Sequence, residues 1–386
     1  MRIFISTGEV SGDLQAALLI KSLLNLAEIR GIDLEIVGLG GDRMKQAGAN
    51  ILANTTSIGS VGLLESIPFI LPTLKIQKFA KQYLTENAVD LLLLIDYPGP
   101  NISIGTYVKK QFPKLPIIYY IAPQNWVWTP TESATKQVVK ISDKILAIFA
   151  EEARYFQGKG AEVTWVGHPL LDRMKTTLNR DQARKKLGIK PEQKIVTILP
   201  ASRQQEIKYM LPIMLETAQK IQAKISEVRF YIPLSLPIYR TAINRAIKQY
   251  NIKATIVENE PLEAIAAADL AITKSGTVNL EIALLNVPQV VIYKVAPLTM
   301  FVARKIFNFN ISFMSPVNLV MQREIVPELL QEQATVDNIF QKAIALLTDQ
   351  NKRQEIEHNY QEMRQKMGSE NVSDRTADAI LNYLIE

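Results

Sequence analysis

The sequence predicts an α/β protein of two doubly wound domains, each a parallel sheet covered on both faces by helices. Two observations carry that prediction. Short apolar runs rich in β-formers alternate with helical segments along most of the chain, the signature of βαβ units. Most of these runs are apolar throughout rather than alternating, as strands buried on both faces must be.

Taken in order, the first series of strand-like runs is Arg2–Ser6, Glu35–Leu39, Leu91–Asp96, Ile117–Ile121, Ile145–Phe149 and Val163–Val166. A polar, basic stretch from Pro169 to Lys194 follows, with Gly188 and Pro191 as breakers. The second series is Ile195–Leu199, Val228–Ile232, Thr255–Val257, Leu270–Thr273 and Val290–Tyr293. The boundary falls in the polar stretch, which gives domains at 1–169 and 170–350. Residues 351–386 have helical spacing and no strand signal. No short repeat period is present, which argues against a solenoid.

A length of 386 residues exceeds one ordinary core and fits two domains. Hydrophobic residues make up 47% and charged residues 21%, the profile of a soluble globular protein without long disordered segments. With no Cys, disulfides, thiolate metal sites and cysteine nucleophiles are excluded. The start, Met1-Arg2-Ile3-Phe4-Ile5-Ser6-Thr7-Gly8, turns polar too soon for a signal peptide. No apolar run approaches the ~20 residues of a membrane span. The expected location is the cytoplasm, with contact to a membrane surface. The formal charge of +6 favours anionic partners, yet no Lys/Arg block is dense enough for nucleic acid.

In a doubly wound fold, ligands sit beyond the carboxyl ends of the strands, and two such domains imply a cleft between those edges. The polar motifs fall at these ends. Gly8-Glu9-Val10-Ser11-Gly12-Asp13 joins the first strand to a helix, where Gly8, Ser11 and Gly12 suit an anion. It also reads as a plain β-to-α turn with Asp13 as a cap, and its spacing is neither a P-loop nor a dinucleotide fingerprint. Asp96 follows Leu91–Ile95 and precedes Tyr97-Pro98-Gly99-Pro100-Asn101. A carboxylate at a strand tip framed by prolines suits general-base work, or stiffens the turn. Asn101 is placed to orient the same substrate hydroxyl, or to serve that turn.

Pro200-Ala201-Ser202-Arg203 again follows a strand, and Arg203 is suited to neutralise a diphosphate or to pair with Glu206. Ile272-Thr273-Lys274-Ser275-Gly276-Thr277 reads as a strand and a corner opening a helix that carries Glu281. Such a corner is a seat for a diphosphate, and Glu281 can accept hydrogen bonds from a ribose. The histidines are His168 and His358, too few for a His-rich metal site, and no Asp-x-Asp pair occurs. The expectation is chemistry without metal or cofactor, in which cations and helix ends supply the electrostatics.

Two segments are amphiphilic. Val61 to Tyr83 sets Leu63, Leu64, Ile67, Phe69, Ile70 and Leu71 ahead of Lys75, Lys78 and Lys81. Tyr293 to Phe313 mixes apolar residues with Lys294, Arg304 and Lys305. Each suits an interfacial helix on anionic lipid, and each also reads as a core helix with a basic edge.

In this order the motifs resemble the lipid-A-disaccharide synthase family of GT-B glycosyltransferases. The resemblance rests on Gly8 to Asp13, Gly40-Gly41-Asp42-Arg43-Met44, Ile95-Asp96-Tyr97-Pro98 and Ala122-Pro123-Gln124-Asn125-Trp126-Val127-Trp128. It continues through Gly167-His168-Pro169-Leu170, Ser202-Arg203, Ser275-Gly276-Thr277 to Glu281, and Val326-Pro327-Glu328-Leu329-Leu330-Gln331. The chain departs from the family pattern at Ala201, where Gly is usual, at Pro100 in place of Phe, and at Gln15, near a frequent His.

The resemblance implies two Rossmann-like domains, an N-terminal one for the acceptor and a C-terminal one for the UDP-sugar, with C-terminal helices packing back on the first. It implies inverting transfer from UDP-2,3-diacylglucosamine to 2,3-diacylglucosamine 1-phosphate, giving the β-1,6-linked disaccharide 1-phosphate of lipid A and UDP. Asp96 and Arg203 are then the catalytic residues, and Ser202, Arg203, Ser275, Gly276, Thr277 and Glu281 bind UDP. Gly8, Ser11, Gly12 and Asn101 hold the acceptor and its phosphate. Leu63, Leu64, Phe69, Ile70, Lys75 and Lys78 become the membrane-docking set, since a lipid acceptor must be lifted from a bilayer. Homodimerisation is left open. Other readings are another UDP-sugar enzyme of this architecture, such as a UDP-N-acetylglucosamine epimerase or transferase, and a non-catalytic UDP-sugar or lipid-binding protein.

Overall fold

The computed structural model describes residues 1–8, 10–56, 67–129, 131–200, 204–234, 236–258, 261–295, 300 and 312–385. The chain forms two compact units, Met1–Asp172 with Met367–Glu386, and Arg173–Lys366.

The first unit is built on a seven-stranded sheet in the order β3-β2-β1-β4-β5-β6-β7. Its strands are β1 (Arg2–Ser6), β2 (Glu35–Gly40), β3 (Asn50–Asn54), β4 (Leu91–Ile95), β5 (Ile117–Tyr120), β6 (Lys144–Ala147) and β7 (Val163–Trp165). Every pair is parallel, with Ile3 of β1 opposite Ile36 of β2 on one side and Leu91 of β4 on the other. Leu91 to Ile95 are wholly buried, which is why that run is apolar at every position. The strand order reverses between β1 and β4, so the loops after Ser6 and after Ile95 flank the switch point where such sheets take ligands.

The sequence extends β4, β5, β6 and β7 too far, and for the first three the backbone gives the reasons. Asp96 and Ile121 have φ of 50° and 56°, which ends β4 and β5 one residue early. Past β6, the amides of Ile148 and Phe149 donate to the Glu152 carboxylate at 2.8 and 3.3 Å, outside the sheet ladder. The terminal helix Val372–Ile385 packs on the first helix, Val10–Ile29, with Arg30 bonded to Asp378 and, at 2.8 Å, to Asn382.

The second unit has a six-stranded sheet in the order β10-β9-β8-β11-β12-β13. Its strands are β8 (Lys194–Leu199), β9 (Val228–Pro233), β10 (Ala254–Val257), β11 (Leu270–Lys274), β12 (Gln289–Tyr293) and β13 (Glu328–Leu330), all parallel. Here the order reverses between β8 and β11, whose ends pair Leu199 with Thr273. The chain therefore leaves the sheet after Leu199 and after Lys274 at neighbouring strand ends. At the opposite edge Asp269, almost fully buried, accepts from the Ile195 amide at 2.8 Å and from Arg180 at 2.7 Å, with Arg184 at 3.5 Å.

The sequence reading does not contain β3 or β13. Both are edge strands: Asn50–Asn54 is framed by Asn and only half buried, and Glu328–Leu330 is three residues long. Neither offers the fully buried apolar run that marks the central strands. No helix among the described residues is long and apolar enough to cross a membrane.

Candidate active site

At the first switch point, Asp96 and Tyr97 are successive left-handed residues, each with φ of 50°. Such backbone costs of order 1–3 kcal/mol per residue and persists only where surrounding contacts fix it. The Asp96 carbonyl accepts from the Tyr119 hydroxyl at 2.9 Å and from Asn101 Nδ2 at 2.7 Å. The Asp96 amide donates to the Tyr120 and Ile121 carbonyls at 3.3 and 3.2 Å. Burial beside the Asp96 charge pushes the Tyr119 phenol well above its usual range, so it stays a donor.

Asn101 is the tie at this point. Wholly buried, its amide also reaches the Ser6 and Ile95 carbonyls, both at 3.2 Å, while its oxygen accepts from Ser6 Oγ at 2.7 Å. It joins the ends of β1 and β4 to the helix Pro98–Gln111. Gly8 completes the contact: a Cβ there would stand 2.2 Å from the Tyr97 ring. Gly8, Asp96 and Asn101 thus belong to one construction.

Gly12 and Asp13 serve a second one. A Cβ on Gly12 would meet Thr7 Oγ1 at 2.0 Å. That Thr7 hydroxyl is buried and has no partner among the described residues. Asp13 accepts from the amides of Gly41, Arg43 and Met44 at 2.8, 3.2 and 3.1 Å, closing the start of the helix Asp42–Gln46. Gly41 is needed because a Cβ would come within 2.7 Å of that carboxylate. The two glycine motifs of the sequence are therefore one assembly, in which Ser11 lies half-buried in the first turn of its helix.

Aromatic rings occupy the next strand ends. Trp126 lies 5.8 Å from Phe149, and Phe149 lies 5.1 Å from His168. Burial pushes His168 down to about 3, so its imidazole is neutral, and Nδ1 accepts from the Leu170 amide at 3.2 Å. Burial pushes the Glu152 carboxyl up to about 8 despite the backbone amides it accepts.

In the second unit, the corner after β11 is closed by Asn279, a residue the sequence reading does not single out. Its side chain accepts from the Gly276 amide and donates to the Lys274 carbonyl, both at 2.9 Å. The Ser275 amide donates to Ile292 at 3.1 Å and its hydroxyl to the Met314 carbonyl at 2.7 Å. Glu328 holds the other side of that segment, accepting from the amides of Met314 and Ser315 at 2.6 and 2.9 Å and from Asn318 Nδ2 at 3.0 Å. Burial raises the Glu328 carboxyl, and these donors offset part of the rise. The Val326-to-Gln331 motif is thereby tied to the Ser275 corner.

Thr277 stands at the entry of the helix Val278–Leu284, and Glu281 lies within that helix, paired with Arg173. Neither Asn279 nor Arg173 carries a local sequence signal, because one acts through its own backbone corner and the other through a partner distant in the chain. Glu328 lies in a motif the sequence marks, but its bonds to Met314, Ser315 and Asn318 do not show there. Ser202, Arg203, Leu63 and Leu64 lie outside the described residues. Of the lipid-facing set, Phe69, Ile70, Lys75 and Lys78 lie on the helix Ile67–Glu86.

A family model described as lipid-A-disaccharide synthetase matches residues 3–382 of this chain. The chain belongs to the lipid-A-disaccharide synthase family. The lipid-A-disaccharide synthase of Gloeothece citriformis is 54% identical over 384 residues, covering 100% of both chains. That of Synechocystis is also 54% identical, over 99% of this chain and 98% of its own. Among solved structures, a UDP-GlcNAc 2-epimerase from Neisseria meningitidis bound to UDP-GlcNAc shares the fold, with a TM-score of 0.66 and 14% identity. The match covers 99% of this chain and 100% of that one. A glycosyltransferase from Rickettsia africae matches with a TM-score of 0.60 at 10% identity, covering 100% of this chain and 98% of its own. The two parallel-sheet Rossmann-like units are thus the GT-B architecture the sequence predicts, and in lipid-A-disaccharide synthases it is turned to glycosyl transfer.

Proposed function

We infer that this chain is a glycosyltransferase that makes the lipid A disaccharide. It joins UDP-2,3-diacylglucosamine to the 6-hydroxyl of 2,3-diacylglucosamine 1-phosphate and releases UDP. The observation that carries this is the family match over residues 3–382, which takes in both switch points.

The reaction is a single inverting displacement. Asp96 takes the proton of the acceptor 6-hydroxyl as that oxygen bonds to the anomeric carbon. The bond from that carbon to the diphosphate breaks, and UDP leaves with the electron pair. The turn from Asp96 to Asn101 supports this role, since it fixes the strand tip that carries the carboxylate. Gly8, Ser11 and Gly12, at the neighbouring strand end, receive the acceptor 1-phosphate.

UDP lies at the switch point of the second unit, with Glu281 on its ribose. The amides opening the helix at Thr277 and Val278 face the diphosphate, while Ser275 and Gly276, whose amides already donate inside the corner, hold its shape. Ser202 and Arg203 meet the charge developing on the leaving group. Losing one such electrostatic group costs ~100- to 1000-fold in turnover.

The helix Ile67–Glu86 docks on the inner face of the cytoplasmic membrane. Ile70, Leu71, Leu74 and Phe79 are exposed, Leu71 by 70%, and Lys75 and Lys78 are exposed on the same side of the helix. An apolar strip flanked by lysines suits an anionic bilayer surface.

The test is incubation of the purified chain with both acylated substrates in mixed micelles without divalent metal. Disaccharide 1-phosphate and UDP are the expected products. Turnover of non-acylated UDP-N-acetylglucosamine in their place would point to another UDP-sugar enzyme, and bound UDP without product to a binding protein.

A further inference from the structure

Glu281 does not stand alone in the second unit. Its carboxylate is paired with Arg173, which lies 108 residues earlier in the chain. Both side chains are sheltered, the arginine 25% and the glutamate 13% exposed, so solvent screens the pair less than a surface bridge. Leu280 and Ile282, on either side of Glu281, are buried in the core, which fixes the helix from which the carboxylate projects.

The segment that carries Arg173 ends the first unit and opens the second. It is the short helix Leu170–Met174. The Leu170 amide donates to His168 Nδ1 at 3.2 Å. Asp172 accepts from the amides of Val372 and Ser373 at 3.1 and 2.8 Å.

We propose that Arg173 is a positioning residue for donor recognition, its guanidinium holding the Glu281 carboxylate in the orientation that accepts the ribose hydroxyls of a uridine nucleotide. This rests on the reading of Glu281 as the ribose acceptor. An ionised carboxylate offers about four lone-pair sites, so engagement by arginine is compatible with ribose binding. The planar, forked guanidinium fixes a carboxylate's plane, whereas a lysine ammonium supplies charge without that geometry. Arg173 touches no reacting atom in this account and acts only through Glu281.

The test compares dissociation constants of UDP and 2′,3′-dideoxy-UDP, by calorimetry, for the full-length chain and the variants Glu281→Gln, Arg173→Met and Arg173→Lys. The wild type is expected to prefer UDP by about tenfold or more, the worth of hydrogen bonds to a charged acceptor. Glu281→Gln removes most of that preference. Arg173→Met also removes most of it, raising donor KM more than it lowers kcat, and Arg173→Lys restores part. Full preference in Glu281→Gln would overturn the ribose reading itself. Loss in Glu281→Gln with full preference in Arg173→Met would overturn the positioning role alone. If Arg173→Met does not fold, Arg173→Lys decides: undiminished preference overturns the proposal, and reduced preference with an unchanged melting temperature supports it.

Discussion

The side-chain amide of Asn101 donates to the main-chain carbonyl of Asp96 at 2.7 Å, and through this bond a buried asparagine governs where the proposed base points. The same side chain holds Ser6 and Ile95, so the ends of the two central strands of the first unit and the turn of Asp96 move as one.

Asn101→Ala should therefore lower kcat by about 100-fold, the loss that follows a displacement of about 1 Å in a catalytic group. UDP binding, at the other unit, should stay within about twofold of the wild type, since no contact with the nucleotide is removed. Steady-state kinetics together with a UDP titration checks this. An unchanged kcat would mean that the turn holds its shape without the asparagine.

Asp269 anchors the amino edge of the second sheet. Removing one partner of a buried ion pair leaves an uncompensated charge and costs about 3–5 kcal/mol. Asp269→Ala should lose stability on that scale by urea denaturation. Asp337→Ala, which removes the exposed bridge to Lys220, should cost no more than about 1 kcal/mol.

Glu152 gives the fold a pH dependence of definite sign. Its folded pKa, pushed up to about 8 by burial, lies above the ordinary value of 4.5, so the folded state holds the proton more tightly. The stabilisation is complete below the unfolded pKa and is lost as pH rises towards the folded one. His168, neutral in the fold, acts oppositely, costing stability as pH falls below 6.5 towards about 3. Glu152→Gln, which cannot ionise, should gain on the wild type progressively between pH 5 and pH 8 in the unfolding free energy. A constant difference across that range would exclude the buried carboxyl as its source.

The exposed face of the helix Ile67–Glu86 should carry membrane affinity. Leu71→Glu with Leu74→Glu should weaken binding to anionic vesicles by at least about tenfold, as expected when apolar area is withheld from an interface. Lys75→Gln with Lys78→Gln should weaken it less and flatten its salt dependence, at about 1 kcal/mol per cation. Vesicle sedimentation reads both, and undiminished binding of the Leu71/Leu74 variant would remove this helix from the membrane contact.

The architecture is legible in the sequence where burial dictates composition. Leu91 to Ile95 can hardly be anything but a central strand, and the glycine and serine corners mark the strand ends. The edge strands escape because half-buried residues such as Asn50 to Asn54 carry no distinct pattern. At the candidate site, the charged groups are visible because Asp, Arg and Glu at strand ends are chemically conspicuous. Their supports are not: nothing near Asp13 in the chain reveals that it caps the helix starting at Asp42, or that Glu281 pairs with Arg173. Such pairings depend on which loops the sheet order brings together, and that order is set by packing over the whole unit rather than by any window of sequence.

The most direct test of the central claim is disaccharide formation by Asp96→Ala, compared with the wild type, from UDP-2,3-diacylglucosamine and 2,3-diacylglucosamine 1-phosphate in mixed micelles. The account predicts product and UDP from the wild type, and a rate lower by at least about 100-fold from the variant, the lower end of what a positioned general base contributes. UDP should bind both proteins alike. Product from the variant at close to the wild-type rate would contradict the assignment of Asp96 as the base.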